Sequence, residues 1–320
     1  MTLARRRFLV RSASLGAALA TTGLAGCATG GPRVTAAAPG VTRVSLGSVT
    51  ATTLTDGFAN RPLEAGFVRN APLPAVQAAL AEAGLPTDRI EVPFTPLLVE
   101  SGSQRVLFDV GNGEFGAPTS GKLMQNLAAA GIAPSSITAV VFSHFHGDHI
   151  NGLRNKAGAI TFPNARIYAP AAEWNWWMDD ARMAATPESG RGVFNASRRV
   201  FSPIAASVTR FEPDTEVLPG IRAVAAYGHT PGHTAFLIEG GSRRLLYWAD
   251  TTNVAALFVR NPDWQVAFDM DADAAARVRR QLAERVVSEN LLLAGYHLNG
   301  SAIGSLARRG KGYEFTPLKA

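Results

Sequence analysis

Three imidazoles and a carboxylate fall within one short stretch, His144-Phe145-His146-Gly147-Asp148-His149. Neutral imidazole is the commonest metal-binding side chain, and carboxylate oxygen binds the same divalent ions. His144 and His146 are separated by one residue, so at the end of an extended strand they point the same way. Gly147 lets the chain turn, and Asp148 and His149 then face a second point nearby. That arrangement suits two metal ions side by side. Histidines that merely pack in a core or sit on a surface do not come grouped like this.

Three more segments supply the same chemistry. Gly228-His229-Thr230-Pro231-Gly232-His233 follows an apolar run and places two imidazoles on one turn. Asp250 ends an apolar strand-like run, where a carboxylate is expensive unless it is paired or bound to a metal. His297 ends another such run, Leu291-Leu292-Leu293-Ala294-Gly295-Tyr296. Cys27 is the only cysteine, so a thiolate ligand within the fold and an internal disulfide are both excluded. Imidazole and carboxylate without thiolate suit zinc, with manganese, cobalt or iron as alternatives. No Gly-x-Ser-x-Gly turn is present, which argues against a covalent acyl-enzyme, and there is no glycine-rich phosphate loop.

The elements that must position these groups follow from the hydrophobic pattern. Residues 137–142 form a short β-branched run that predicts a buried strand feeding the histidine stretch. A helix is expected over 121–130, ahead of it. Strands are expected within 41–56, at 159–162, 166–168, 221–227 and 291–297. Hairpins are expected from 92–100 with 105–110, from 235–239 with 245–248, and across 303–318. Helices are expected at 75–83, 171–183, 194–206 and 271–287. Trp174, Trp176 and Trp177 fall in one of them, either as core or as an aromatic wall over the metals. With 47% hydrophobic and 18% charged residues, the composition is that of a globular protein.

The His-x-His-x-Asp-His stretch resembles the signature of the metallo-β-lactamase-fold hydrolases. Phe162-Pro163-Asn164-Ala165, the run from Gly228 to Thr234 and the ending Gly310-Lys311-Gly312-Tyr313 are similar to the methyl parathion hydrolase group, whose relatives include lactone hydrolases. The resemblance covers residues 41–319. It implies an α/β fold, a four-layer αβ/βα sandwich of two mixed sheets between helices, in a single domain over 41–320. It implies one metal held by His144, His146 and His233, a second held by Asp148, His149 and His297, and Asp250 shared between them. His229 would then support the loop, and Asp109, in the turn Asp109-Val110-Gly111, would orient a ligand. Phe115, Trp177 and Phe194, or its neighbour Val193, would line the substrate pocket. Two departures stand out: Ala249-Asp250 replaces the usual Gly-Asp, and no proline follows His297.

The expected function is that of a binuclear-metal hydrolase. A metal-bridging hydroxide would attack a lactone or ester carbonyl, or a phosphotriester phosphorus, with Asp148 and Asp250 as catalytic carboxylates. The expected substrate is a small apolar ester or lactone, and a homodimer is expected from the relatives. The rival readings are a β-lactamase, a thioesterase of the glyoxalase kind and a non-catalytic metal-binding lipoprotein. Asp250 argues against the first. The second would carry an extra helical domain, and a full ligand set beside a pocket argues against the third.

The N-terminus reads as an address. Arg5-Arg6-Arg7-Phe8-Leu9 resembles a twin-arginine export signal, followed by a short apolar run and Leu24-Ala25-Gly26-Cys27, which looks like a bacterial lipobox. Residues 1–27 are thus expected to direct export, to the periplasm or to a lipid anchor on Cys27, with 28–40 as a flexible linker. Four arginines and no acids lie in the signal. Without them 27 basic residues face 25 acidic ones, and the net charge of +6 falls to +2. Nucleic-acid binding is therefore not expected of the processed chain.

Overall fold

The computed structural model describes residues 33–319. The predicted signal and Cys27 lie outside them.

Two large mixed sheets form the frame. The first has eight strands in the order Val34–Ala38, Val41–Ser45, Val49–Leu54, Leu97–Ser101, Gln104–Phe108, Ala139–Val141, Arg166–Pro170 and Val208–Phe211. The second has seven, Glu216–Leu218, Ile221–Ala225, Thr234–Glu239, Arg244–Tyr247, Leu292–Ala294, Ile303–Arg309 and Gly312–Pro317. In both, the strands nearest the histidine segments run parallel: Gln104–Phe108 beside Ala139–Val141, and Arg244–Tyr247 beside Leu292–Ala294.

The period-two alternation of strand side chains separates the layers. Leu97, Val99, Val106, Phe108 and Val141 point inward, where they meet Phe236, Ile238, Leu245 and Tyr247 of the opposite sheet. The residues between them, Leu98, Leu107 and Val140, point outward onto Leu123, Leu127, Trp174 and Val200 of the covering helices. On the far side, Leu237, Leu246 and Leu293 pack against Leu282 and Val286 of helix Ala272–Ser288. Helix, sheet, sheet and helix thus form the expected mixed sandwich.

Several local expectations are corrected. Val34–Ala38, assigned to a linker, is an edge strand paired with Val41–Ser45. Alternation was hard to see there because its middle residues are small and exposed. Residues 92–100 are not one strand. Arg89–Phe94 pairs with Gly57–Pro62 in a separate two-stranded sheet, and the chain changes sheet at Thr95-Pro96 before Leu97–Ser101 begins. A proline cannot donate to a continuing ladder, so the break has a local cause. Residues 159–162 make only an isolated bridge, and the helix expected over 171–183 is two, Ala171–Trp177 and Asp180–Ala185, the second capped by the Asp179 side chain.

Candidate metal centre

The histidine segments leave the sheets at the same edge. Strand Ala139–Val141 runs into Ser143-His144, and His146 precedes the short helix Gly147–Ile150 that carries Asp148 and His149. The turn holding His229 follows strand Ile221–Ala225, Asp250 follows Arg244–Tyr247, and His297 follows Leu292–Ala294. Loops at the carboxyl ends of parallel strands are where open α/β sheets place their ligands.

Two clusters result, each with donor atoms within 4.8 Å of one another. One comprises His144, His146, His229 and Asp250; the other Asp148, His149, Asp250 and His297. In the first, His229 Nε2 lies 2.9 Å from His146 Nδ1, while Asp250 Oδ2 is 3.3 Å from His229 Nε2 and 3.9 Å from His144 Nε2. In the second, Asp250 Oδ2 is 2.9 Å from His297 Nε2 and Oδ1 is 3.1 Å from His149 Nε2. Asp148 Oδ2 is 3.5 Å from His149 Nε2 and 3.6 Å from His297 Nε2. Asp250 therefore stands between the two groups with one carboxylate.

The resemblance implied His233 as the ligand from the Gly228 turn. His229, not His233, joins the cluster. Both ring nitrogens of His233 are already committed: Nδ1–H donates to the Ala226 carbonyl at 2.8 Å, and Nε2 accepts the Asp250 backbone N–H at 3.0 Å. His233 thus fixes the backbone of Asp250. His229 has the opposite arrangement. Its Nδ1 is held by Asp269 at 3.0 Å, and Nε2 faces the centre, toward His146 and Asp250. Asp269 in turn pairs with the buried Arg279 at 3.2 Å. The turn sits tightly on helix Ala272–Ser288. Gly228 has φ 129°, and a Cβ there would come within 2.2 Å of the Ala275 nitrogen.

The imidazoles of His144, His149 and His297 are oriented from behind, as ligating histidines usually are. Asp109 is fully buried and accepts from the Ser143 N–H and hydroxyl, from His149 Nδ1–H and from Tyr247 O–H, at 2.8–2.9 Å. His144 Nδ1 lies 3.0 Å from the Ser143 hydroxyl, and His297 Nδ1–H donates to the Pro93 carbonyl at 2.6 Å. The Tyr296 ring covers His149 at 3.9 Å between centroids, and its hydroxyl donates to the Asp148 carbonyl. Ala249 precedes Asp250 with φ 44°, in the left-handed region.

The donor set fits a divalent cation. His144 Nε2, His149 Nε2 and Asp250 Oδ1 are buried without a hydrogen-bond partner, a state that native interiors rarely tolerate. Burial pushes the imidazolium forms of His144 and His146 down, His146 to about 3, with His229 adding to the effect on the latter. Both are thereby neutral, as metal ligands must be. For His229 burial acts downward, but Asp250 and Asp269 overcome it and raise the group to about 9. Asp148 is held at about 2 because His149 and His297 outweigh burial.

The three residues expected to line a pocket do not. Trp177 and Phe194 are buried in the core outside the first sheet, their rings 4.9 Å apart, and the indole N–H of Trp177 donates to Glu173 at 2.8 Å. Phe115 is half-buried under the Arg199 guanidinium, 3.7 Å from its ring centre. The cavity over the clusters, about 520 Å³, is instead bounded by Val92, Phe94, Phe268, Arg61 and Asn253. Phe94 stands edge-on to His297, and Arg61 lies over Phe268. The small sheet that the hydrophobic pattern did not reveal supplies most of this wall. A larger groove of about 910 Å³ lies elsewhere, beside helix Leu73–Glu82 and the last hairpin, and contains none of the clustered groups.

The chain belongs to the metallo-β-lactamase superfamily: the family pattern matches residues 95–294, more than half of the sequence. Among solved structures it is similar to AidC, described as a dizinc quorum-quenching lactonase in complex with the product N-hexanoyl-L-homoserine. The identity is 25% and the TM-score 0.82, over 88% of this chain and 98% of that one. It also superposes on the hydrolase AbOPH of the β-lactamase superfamily, with 22% identity and a TM-score of 0.81 over 88% and 98% of the two chains. A quorum-quenching N-acyl homoserine lactone lactonase shares the fold at 17% identity and a TM-score of 0.57, over 80% and 94%. Fold, family and clustered donors together define a metal-dependent hydrolase.

Proposed function

We propose that the protein hydrolyses neutral lactones and esters with an apolar body, using two divalent ions, zinc above all, held by His144, His146 and His229 and by Asp148, His149 and His297, with Asp250 common to both. The observation that carries this reading is the single Asp250 carboxylate reaching both histidine groups. When bound, such a pair of ions supplies activated water at neutral pH and polarises the oxygen of the bond under attack. The chain's own residues do the rest. Asp250 and Asp148 set the charge of the centre and orient what binds between the clusters. His149, His229 and His297 keep their cluster-facing nitrogens in place through Asp109, Asp269 and the Pro93 carbonyl. Phe94, Val92 and Phe268 exclude water along one side of the cavity and favour an acyl chain or aryl group over a charged one.

The lactone ranks ahead of the phosphotriester as substrate, because AidC, 25% identical, is described as a lactonase and Val92, Phe94 and Phe268 give the cavity an apolar side. A panel of lactones, aryl esters and phosphotriesters, assayed on protein of measured metal content, tests this. Lactone hydrolysis as the fastest reaction supports it. Cleavage of a β-lactam or a glutathione thioester alone would put the protein in another branch.

Phe268 is the residue with which to probe the wall. Phe268→Ala is expected to lower kcat/KM for bulky apolar lactones about tenfold, roughly 1.4 kcal/mol of transition-state binding, with metal content unchanged. An equal loss for the smallest lactone would point to a different role.

The proposal extends to export, with cleavage before Cys27 and a lipid on its side chain. Mass spectrometry of the native protein should find a lipid-modified N-terminal Cys27, and Cys27→Ser should release the protein from membranes. A native chain that retains Met1 would remove the claim.

A further inference from the structure

We infer that Glu173 is a positioning residue for the metal centre, one carboxylate that clamps the two loops supplying His144, His146 and His229. The inference rests on the metal-centre reading above. Glu173 lies on helix Ala171–Trp177 and is fully buried. A buried carboxylate is costly unless charge or hydrogen bonds compensate it, and no cation is among the groups found to act on this one. Three N–H donors do so instead. Oε2 accepts from the Phe145 backbone at 2.9 Å and from Trp177 Nε1 at 2.8 Å, and Oε1 accepts from the Gly232 backbone at 2.7 Å.

The two backbone donors give this contact its meaning. Phe145 stands between His144 and His146. Gly232 lies in the turn between His229 and His233. The first loop leaves one large sheet and the second leaves the other, so the carboxylate fixes their separation at the point where His146 and His229 meet. Gly232 must come very close for this to work: a Cβ there would lie 2.3 Å from the Glu173 nitrogen. The other cluster does not depend on the clamp. His149 is held by Asp109, His297 by the Pro93 carbonyl, and Asp148 through the Tyr296 hydroxyl at its backbone.

The chemistry requires a carboxylate. Three N–H groups need acceptors on both oxygens, whereas a glutamine has one oxygen and turns an NH2 donor against one of the N–H groups. Glu173→Gln therefore changes the clamp with almost no change of volume.

Metal titration of the full chain, followed by calorimetry and by the electronic spectrum of the cobalt-loaded protein, tests the inference. Wild-type protein should bind two ions. Glu173→Gln should keep its circular dichroism and one tight ion, while affinity at the His144, His146 and His229 group falls about 10–100-fold, the range for lost partners of ligating histidines. The cobalt bands of that group should shift. Trp177→Phe, which leaves both loop contacts intact, should bind both ions as wild type does. If Glu173→Gln does not fold, Glu173→Asp should show the same one-sided loss in smaller measure. Wild-type affinity at both groups in Glu173→Gln overturns the clamp alone. Equal loss at both groups also overturns it, because it indicates general loosening of the fold. A wild-type chain that binds no ion overturns the clamp and the metal-centre reading together.

Discussion

Asp250→Ala is expected to abolish binuclear loading and to lower kcat/KM by about 1,000-fold, about 4 kcal/mol of transition-state stabilisation. No other carboxylate belongs to both clusters. Removing it takes an acceptor from His229 and His297 and leaves His149 without its nearest facing oxygen. The frame should persist, because Asp250 sits beyond the end of its strand and contributes nothing to the apolar layers. Elemental analysis on protein purified without chelator should give close to two ions for wild type and one or fewer for the variant, with circular dichroism unchanged. A variant that retains two ions and full activity would refute the shared-carboxylate arrangement.

The second large effect separates two histidines on one turn. His229→Ala should lose one ion per chain even in excess metal, with activity down at least 100-fold, since outer partners alone are worth 10–100-fold and this residue faces the centre directly. His233→Ala should recover full stoichiometry in excess metal. Its loss leaves the Asp250 N–H without an acceptor and the Ala226 carbonyl without a donor, a destabilisation of roughly 1–3 kcal/mol read in the melting temperature. The reverse pattern, with loading lost in His233→Ala and kept in His229→Ala, would restore the assignment that resemblance suggested.

That pair of residues marks how far the sequence could be read. The His144 stretch, Asp250 and His297 were legible because each ends an apolar run, and chemistry at a strand end needs little tertiary context. His229 and His233 were not distinguishable, since both stand on one glycine-rich turn and the deciding groups are elsewhere in the chain. Asp269 holds one ring, and the Ala226 carbonyl with the Asp250 N–H holds the other. One signal was available: Gly228, directly before His229, marks a backbone pressed against a helix. The sandwich itself was legible from short, near-continuous apolar runs such as Leu97–Ser101 and Thr234–Glu239, the mark of strands buried on both faces. The pocket wall was not. Trp177 and Phe194 are aromatic and close in sequence to the site, yet their helices turn them onto the sheet. Phe94 and Phe268 reach the cavity only because a two-stranded sheet folds over it, and Gly57–Pro62 carries too few apolar residues to announce itself as a strand.

The left-handed backbone at Ala249 bears on the unfolded chain as much as on the folded one. An alanine at φ 44° carries a local strain of about 1 kcal/mol that a glycine would not. Glycine, however, gives the unfolded chain more conformations to lose, a penalty of about 0.4–1 kcal/mol on folding. The two effects nearly cancel. Alanine can therefore stand before Asp250 with little net change in stability, and its methyl group adds to a fully buried apolar layer. What the substitution removes is backbone freedom beside the carboxylate: with alanine there, Asp250 enters the centre from a more restricted chain.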